Sequence, residues 1–477
     1  MTESMTSNWF ATIAIFAWPV VAIVLYRTRS FSEATLWTIL GALLLLPSNY
    51  SIKLAMIPAF DKNSIPNLCV LIGCIVLGER QRRIRSGFGV AEIFAIMYIV
   101  GPVFTSAYNN DDIVIGDVVL PGVGYYDGVS ALLGQLIFLL PFFIARRYLQ
   151  KSSDSEAILR ALVIGGLFYS LPMLFEIRMS PVLSNWIYGF SQLGMSAEMR
   201  YGGFRPVVFM KNGITAAFFM TTAFLASVAL WRVKTSLKRL PPAGITIYLG
   251  VVIVLCKSAG ALVYAIVVGI FVRWITPKVQ LGLAVVLVSV GLLYPVLRAT
   301  DNIPEKSLID AAALFSQQRA ASLKTRFDSE RQLLARASER LVFGWGRYGR
   351  SRVYDENSGK DMSPTDGAWL QTLGQFGIVG FVAQFGLLAL PVFRALSAFK
   401  YAGSVRDRVF LAALSLIVAL GLFEQLPNSS ISPWSWLLAG ALMGRAEALR
   451  IIARPLPKPR LEPENPMKRS AGLGTYS

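Results

Sequence analysis

The chain has 477 residues, 54% of them hydrophobic and only 16% charged, with 46 Lys and Arg against 28 Asp and Glu for a formal charge of +18. Soluble domains carry about 25% charged residues, so this chain lacks the polar surface to face water all round and an ordinary soluble enzyme is excluded. Histidine is absent, which excludes a His general base, a Ser-His-Asp triad, a His-ligated metal and a His pH switch and leaves proton transfer to Asp, Glu, Tyr, Lys or water.

The apolar residues fall in unbroken blocks, among them 213–231 (GITAAFFMTTAFLASVALW) and 279–296 (VQLGLAVVLVSVGLLYPV). Blocks of about 17–25 apolar residues cross a bilayer as helices, and the ten-residue alternation of a membrane β-barrel is missing. The expected fold class is all-α, a polytopic transmembrane helix bundle. In chain order the spans fall near 9–26, 34–47, 65–78, 88–107, 128–145, 157–176, 212–231, 243–256, 259–275, 279–297, 367–393, 409–425 and 434–449. Two are short, so the count is 12 or 13. The first is not followed by a small-residue cleavage site and reads as an anchor. Cys69, Cys74 and Cys256 lie inside apolar blocks and read as small core residues without disulfides.

Loop charge sets the direction of threading. Arg27 and Arg29, then Arg80, Arg82, Arg83 and Arg85, then Arg146, Arg147 and Lys151, then Arg232, Lys234, Lys238 and Arg239 occupy connections that alternate with Lys/Arg-poor ones. These basic connections are expected on the cytoplasmic side, as are Arg394, Lys400, Arg406 and Arg408. The N-terminus then lies outside. The Pro-rich basic tail 454–477 lies inside and is expected to be disordered, and the bundle with its external loops occupies 1–453. Topology accounts for most Lys and Arg, so the positive charge requires no nucleic-acid partner.

Three external segments, 108–127, 177–211 and 298–366, exceed the 12–15 residues beyond which loops are usually functional or disordered. The first carries Asp111, Asp112, Asp117 and Asp127, either a divalent-cation site or solvated acids in a loop without basic charge. In the second, Arg200, Arg205 and Lys211 cluster in MRYGGFRPVVFMKNG (199–213), where paired glycines let backbone approach a ligand. Arginines clustered at a membrane boundary suit a phosphate or pyrophosphate, which guanidinium binds through two parallel hydrogen bonds. The third is large and partly helical, lies between spans 10 and 11, and has helical periodicity from Glu305 to Leu341. Arg319, Arg326, Arg331, Arg336 and Arg340 are interleaved with its apolar positions. It reads as a basic helix on the outer face, with contact to lipid headgroups as the alternative role of its arginines.

Secondary candidates are Glu176 and Glu424 at outer span ends, Lys257 in the short turn before Ser258 and Gly260, and Arg347 in the third loop. Ionisable groups at membrane depth are functional candidates, although a span end also lets them reach water. Trp186, Tyr188, Tyr201, Phe204, Trp345, Tyr348 and Trp369 either stack on sugar rings or form an interfacial aromatic belt.

The runs EIRMSP (176–181), YGGFRPVVFMKNG (201–213), TRFDSE (325–330) followed by VFGWGRYG, and TDGAWLQTLGQFGIVG (365–380) together resemble the O-antigen ligase and polymerase superfamily. Within it they look closest to bacterial exopolysaccharide polymerases. The resemblance extends from about Leu46 to Glu424 and is best in the second and third external loops. It implies transfer of a glycan from an undecaprenyl-pyrophosphate carrier to an acceptor on the outer face of the bacterial cytoplasmic (inner) membrane. It implies inverting glycosyl transfer without metal or cofactor, with Arg205 and Arg326 at the matching pyrophosphate-holding positions, joined by Arg200 and Lys211. Lipid-linked oligosaccharide would be donor and acceptor, with membrane lipid, a chain-length regulator and export proteins as further candidate partners.

The ligase branch of that family has a His-Asn type pair, nine residues, then Gly-x-x-Gly. Here Asp366 and Gly367 precede Gly377 and Gly380 at the same spacing, with aspartate in place of histidine. An Asp366 carboxylate with an ordinary pKa near 3.9 is the candidate catalytic base for the attacking sugar hydroxyl. Its alternative role is to cap the span that begins at Gly367. Two other readings stay open: a ligase transferring a finished glycan to lipid A core or protein, and a transporter or flippase of lipid-linked sugars.

Overall fold

The computed structural model describes residues 9–53, 58–78, 87–116, 118–190, 198–200, 202–237, 240–315, 317–363 and 367–453. Asp366, Asp117, Tyr201, Lys238, Arg239, the arginines between 79 and 86 and the tail 454–477 therefore lie outside the described residues.

The helices run in order α1 (Trp9–Thr28), α2 (Phe31–Leu45), α3 (Ser64–Leu77), α4 (Val90–Ala107), α5 (Tyr125–Tyr148), α6 (Ser152–Met179), the short α7 (Leu183–Tyr188), α8 (Gly213–Arg232), α9 (Pro242–Leu255), α10 (Ala259–Trp274), α11 (Pro277–Ala299), α12 (Glu305–Phe315), α13 (Gln317–Glu339), α14 (Ala368–Ala398), α15 (Val405–Phe423) and α16 (Pro433–Ile452). Three two-stranded antiparallel hairpins sit in the connections: β1 (Ser51–Ile52) with β2 (Phe60–Asp61), β3 (Ile113–Ile115) with β4 (Val118–Leu120), and β5 (Met199–Arg200) with β6 (Gly203–Phe204).

Each expected apolar block forms a helix. Seven of these, α1, α4, α5, α6, α8, α11 and α14, are long and apolar enough to cross a membrane. Helices α2, α3, α9 and α10 are apolar but have only 14–16 residues, about 21–24 Å at 1.5 Å per residue, less than a hydrocarbon core of about 30 Å. Helices α15 and α16 begin or end in charged turns bearing Arg406, Asp407 and Arg408, or Arg445, Glu447 and Arg450. The chain is a mostly helical, multi-pass membrane protein.

Helices α15 and α16 are buried on almost every face, the mark of a helix enclosed by others. Helix α16 packs on α5 and α14, α15 on α11, and α8 on α6, α9 and α10. The contact of α16 with α5 is backbone-close: a Cβ at Gly440 or Gly444 would stand 2.2 or 2.3 Å from the carbonyl oxygens of Phe142 and Arg146, the small-xxx-small spacing of membrane helix pairs. At the end of the bundle away from the long loops, Arg146 bridges Glu92 and Glu447 at 2.7 and 2.8 Å, and Arg445 pairs with Asp407 at 2.6 Å.

Helix α14 is broken at Gly377, whose φ of 66° and ψ of −164° no helix accommodates. Segment 341–346 fills the break. Ile378 N–H donates to the Leu341 carbonyl at 2.8 Å, while Trp345 and Gly346 N–H donate to the carbonyls of Gly374 and Gln375 at 2.8 and 2.9 Å. The glycine-rich runs VFGWGRYG and GQFGIVG are thus two halves of one backbone joint. Any Cβ on Gly377 would stand 2.3 Å from the Val342 oxygen in a backbone region that L-residues avoid. Gly377→Ala is expected to destabilise the protein by more than 1 kcal/mol, visible as a lower melting temperature in detergent; an unchanged melting curve would mean that the joint does not hold the third loop.

Candidate functional site

Described residues of the second and third long loops meet the turns 256–258 and 424–432 at one end of the bundle around a cavity of about 720 Å³. Its walls carry Arg200 and Arg205 from the second loop, Lys257 from the α9–α10 turn, Arg326 from α13 and Glu424 from the α15–α16 turn, with Tyr264 and Asn428 beside them. Four cations thus face one carboxylate.

Local structure explains each position. Hairpin β5–β6 turns through Gly202 at φ +67° and delivers Arg205, whose N–H donates to the Glu198 carbonyl at 2.9 Å. The buried Glu198 carboxylate stands 3.6 Å from the Arg205 guanidinium and accepts the Gly213 N–H at 3.2 Å. Gly213 is required here, since its Cβ would meet the Arg205 stem at 2.4 Å. Of the glycine pair 202–203, Gly202 faces open space, whereas a Cβ on Gly203 would stand 2.1 Å from the Lys257 ammonium nitrogen.

Arg326 is set by the turn of α13 that carries it. Arg298, buried at the end of α11, donates to the Phe327 carbonyl at 3.0 Å, reaches Glu330 at 2.9 Å and also pairs with Glu305. This hydrogen bond from Arg298 holds Glu305 below the usual carboxylate range, whereas burial pushes Glu330 up. At the other end of α13, the Arg336 carbonyl accepts the Trp345 indole N–H at 2.7 Å, and Arg340, in the turn that follows, meets Asp111 at 2.7 Å.

A further anion-favouring element was not apparent in the sequence. Ser258, Ala259, Gly260 and Ala261, the cap and first turn of α10, all line the cavity, and Ser258 forms no side-chain cap. The first-turn amides and the positive end of the helix dipole therefore face the same space as the arginines.

Glu424 is the first residue past α15. Its carboxylate accepts from the Asn428 amide at 2.6 Å and from the Tyr264 hydroxyl. Burial pushes it up to about 7, against these hydrogen bonds and the nearby Arg326. A second cavity of about 520 Å³ lies on the other side of Arg326, with Ser322, Leu323 and Pro427 common to both. Tyr294, Glu330, Leu370 and Gly367 are among the other residues of its lining.

The structure gives three other candidates different places. Glu176 lines neither cavity. It is 1% exposed, and its carboxylate accepts the N–H groups of Leu183, Val207 and Val208 at 3.0, 2.8 and 2.7 Å, fastening the second loop to the end of α6. Lys211 reaches the α15–α16 turn, donating to the Ser429 carbonyl at 3.3 Å. Arg347 lies beside Tyr98, Tyr348 and the Gly134 face of α5.

Gly367 stands at the N-cap of α14, and the Ala368 N–H donates to the Gln425 and Asn428 carbonyls at 3.0 and 2.9 Å; the roles weighed for Asp366 lie outside the described residues. The three described acids of the first loop are paired or hydrogen-bonded within the fold. Asp111 pairs with Arg340 and Arg350, Asp112 accepts the Gly122 N–H at 2.7 Å, and Asp127 accepts the Gly124 N–H and the Tyr348 hydroxyl. Trp345 lies under Arg336 and Arg340, and Trp369 is fully buried, so neither ring is open to a sugar.

Apolar helices surrounding a chamber lined by Arg200, Arg205, Lys257 and Arg326 at the loop-bearing end define a multi-pass membrane protein with a cation-rich site. Residues 244–385, from within α9 to within α14 and including Lys257, Tyr264 and Arg326, match the O-antigen ligase family model, and the match supports a relation to the O-antigen ligase/polymerase superfamily. Members are membrane glycosyltransferase-like enzymes. No curated protein matches the sequence.

Proposed function

We propose that the protein is a polymerase-type glycosyltransferase that joins polyprenyl-pyrophosphate-linked oligosaccharide repeats on the outer face of the bacterial inner membrane. The observation that carries this reading is the convergence of Arg205 and Arg326, from two loops far apart in sequence, on one cavity that Arg200, Lys257 and the start of α10 also line. In the reaction, an acceptor hydroxyl oxygen attacks the anomeric carbon with inversion as the bond from that carbon to the pyrophosphate oxygen breaks. The hydroxyl proton passes to a carboxylate, and the electron pair leaves on the polyprenyl pyrophosphate. Cleavage adds negative charge to the pyrophosphate, and fixed guanidiniums with helix-terminal amides stabilise that charge without reorganising.

Asp366 remains the proposed base. The residue after it, Gly367, lines the second cavity, whose wall Arg326 shares with the arginine-lined one. Topology supports the same reading: counting the four shorter apolar helices with α15 and α16 gives thirteen crossings, which puts all three long loops on one side and the basic connections on the other. A transporter would place its site at an interrupted helix near the bilayer midplane. Here the interruption at Gly377 is filled by the backbone of 341–346.

The decisive assay gives the purified protein, reconstituted in vesicles, lipid-linked repeats as sole donor and acceptor. A ladder of glycan lengths is the expected product. Transfer seen only when lipid A core or a protein acceptor is added would replace the polymerase by a ligase, and movement of lipid without a new glycosidic bond would replace it by a flippase.

A further inference from the structure

A second open groove, of about 680 Å³, lies on the outer side of the third loop, away from the arginine-lined cavity. One wall is a single face of α13, formed by Gln332, Ala335, Arg336 and Glu339, the i, i+3, i+4, i+7 stripe of a helix. The opposite walls are hairpin β3–β4, through Ile113 to Gly116, and the segment Arg352 to Glu356 with the Tyr354 ring.

The walls are fixed before any ligand arrives. A Cβ on Gly116 would stand 3.0 Å from the Glu356 carbonyl oxygen, and one on Gly359 would stand 2.5 Å from Val118. Arg336 is held by Glu339 at 2.7 Å and stacks on Trp345 at 3.4 Å from the ring centroid. Arg352 pairs with Asp361. The side chains of Gln332 and Glu356, by contrast, line the groove without a hydrogen bond to another described residue.

The chemistry of this lining differs from that of the main cavity. Two arginines and two glutamates cancel, so nothing favours a phosphate. A phenol ring and the aliphatic Ile113, Val114 and Val353 sit among a carboxamide, carboxylates and guanidiniums. Planar groups that offer paired donors and acceptors beside an aromatic face suit a molecule with apolar C–H faces and rings of hydroxyls. Arg326 and Arg336 are ten residues apart on one helix, about 15 Å along its axis and about 80° around it, so a chain starting at the pyrophosphate cavity reaches the groove by following α13 and crossing part of its surface.

We infer that this groove binds the oligosaccharide portion of the lipid-linked substrate, several sugars from the reacting bond. The inference rests on the glycosyltransferase reading above, and its test is independent of turnover. The probe is the oligosaccharide released by mild acid from the polyprenyl-linked pool of the producing cell, titrated calorimetrically into the purified full chain. The variants are Gln332→Ala and Ala335→Trp, both at exposed positions, the second filling the groove without removing a contact.

Saturable binding by the wild type is expected, weakened about tenfold by Gln332→Ala and abolished by Ala335→Trp, with melting temperatures of the two groove variants unaltered. Absence of saturable binding by the wild type, or binding by both groove variants equal to wild type, would each overturn it. If the oligosaccharide binds here but reconstituted protein forms no ladder, the groove stands and the polymerase reading falls. If a ladder forms and neither groove variant alters binding, the polymerase reading stands and the groove falls.

Discussion

Arg326→Ala is expected to lower the rate of glycan transfer about 10²–10³-fold, the usual loss on removing one preorganised donor from developing negative charge, while the protein stays folded. Arg326 is half-buried on α13, and the turn that carries it is anchored by the Arg298, Glu305 and Glu330 ion pairs. The pyrophosphate bridging sugar and lipid is already anionic in the ground state and gains charge as the sugar leaves. The arginine therefore acts more strongly in the transition state, and kcat should fall more than KM rises. Arg205→Ala should lose as much activity but also some stability, because Glu198, its side chain only 4% exposed, is left without its counter-charge. Arg205→Lys restores the charge but not the two-pronged geometry and should recover stability before activity. In cells, both alanine variants should accumulate single lipid-linked repeats on the outer face. Accumulation on the cytoplasmic face would transfer the defect to translocation and remove the polymerase reading.

The helices were legible because apolar blocks carry their own signal: each expected span forms a helix, down to the short pair flanking Lys257. Arg205 was legible from the cluster it forms with Arg200 and Lys211, but its pairing with Arg326 only through the resemblance, since nothing in the periodicity of either loop says that positions 121 residues apart in sequence share a cavity. What the sequence concealed are contacts made by backbone. Gly377 looked like part of a catalytic spacing, yet its positive φ opens α14 to segment 341–346. Nothing in the sequence showed that Gly203 makes room for the Lys257 side chain. Glu176 looked like a membrane-depth ionisable group, yet three amides consume its carboxylate. The start of α10 escaped notice because a helix terminus has no residue signature beyond the turn Lys257-Ser258, and Glu198 because a buried counter-ion cannot be told from a loop acid without its partner.

Asp366→Asn is expected to reduce transfer by about 10²–10⁴-fold, the usual contribution of a positioned general base, with binding of polyprenyl pyrophosphate nearly unchanged because asparagine keeps the shape and removes only the proton acceptor. Glu424 is the carboxylate against which this must be judged, since it faces the arginine-lined cavity and burial pushes it up to about 7. At neutral pH Glu424 is therefore only partly ionised, and its charge grows as the pH rises through 7. An anionic Glu424 opposes a pyrophosphate in the same chamber, so the wild-type KM should rise between pH 6 and 8.5, by something near tenfold or about 1.4 kcal/mol. Glu424→Gln, neutral throughout, should hold KM flat over that range and keep most of kcat. The two carboxylates thus separate by parameter: Asp366 in kcat at every pH, Glu424 in the pH dependence of KM. Should Glu424→Gln abolish kcat while Asp366→Asn remains active, with the wild-type rate climbing through pH 7, the base is Glu424. Its hydrogen-bonded partners Tyr264 and Asn428 then become the groups that position it.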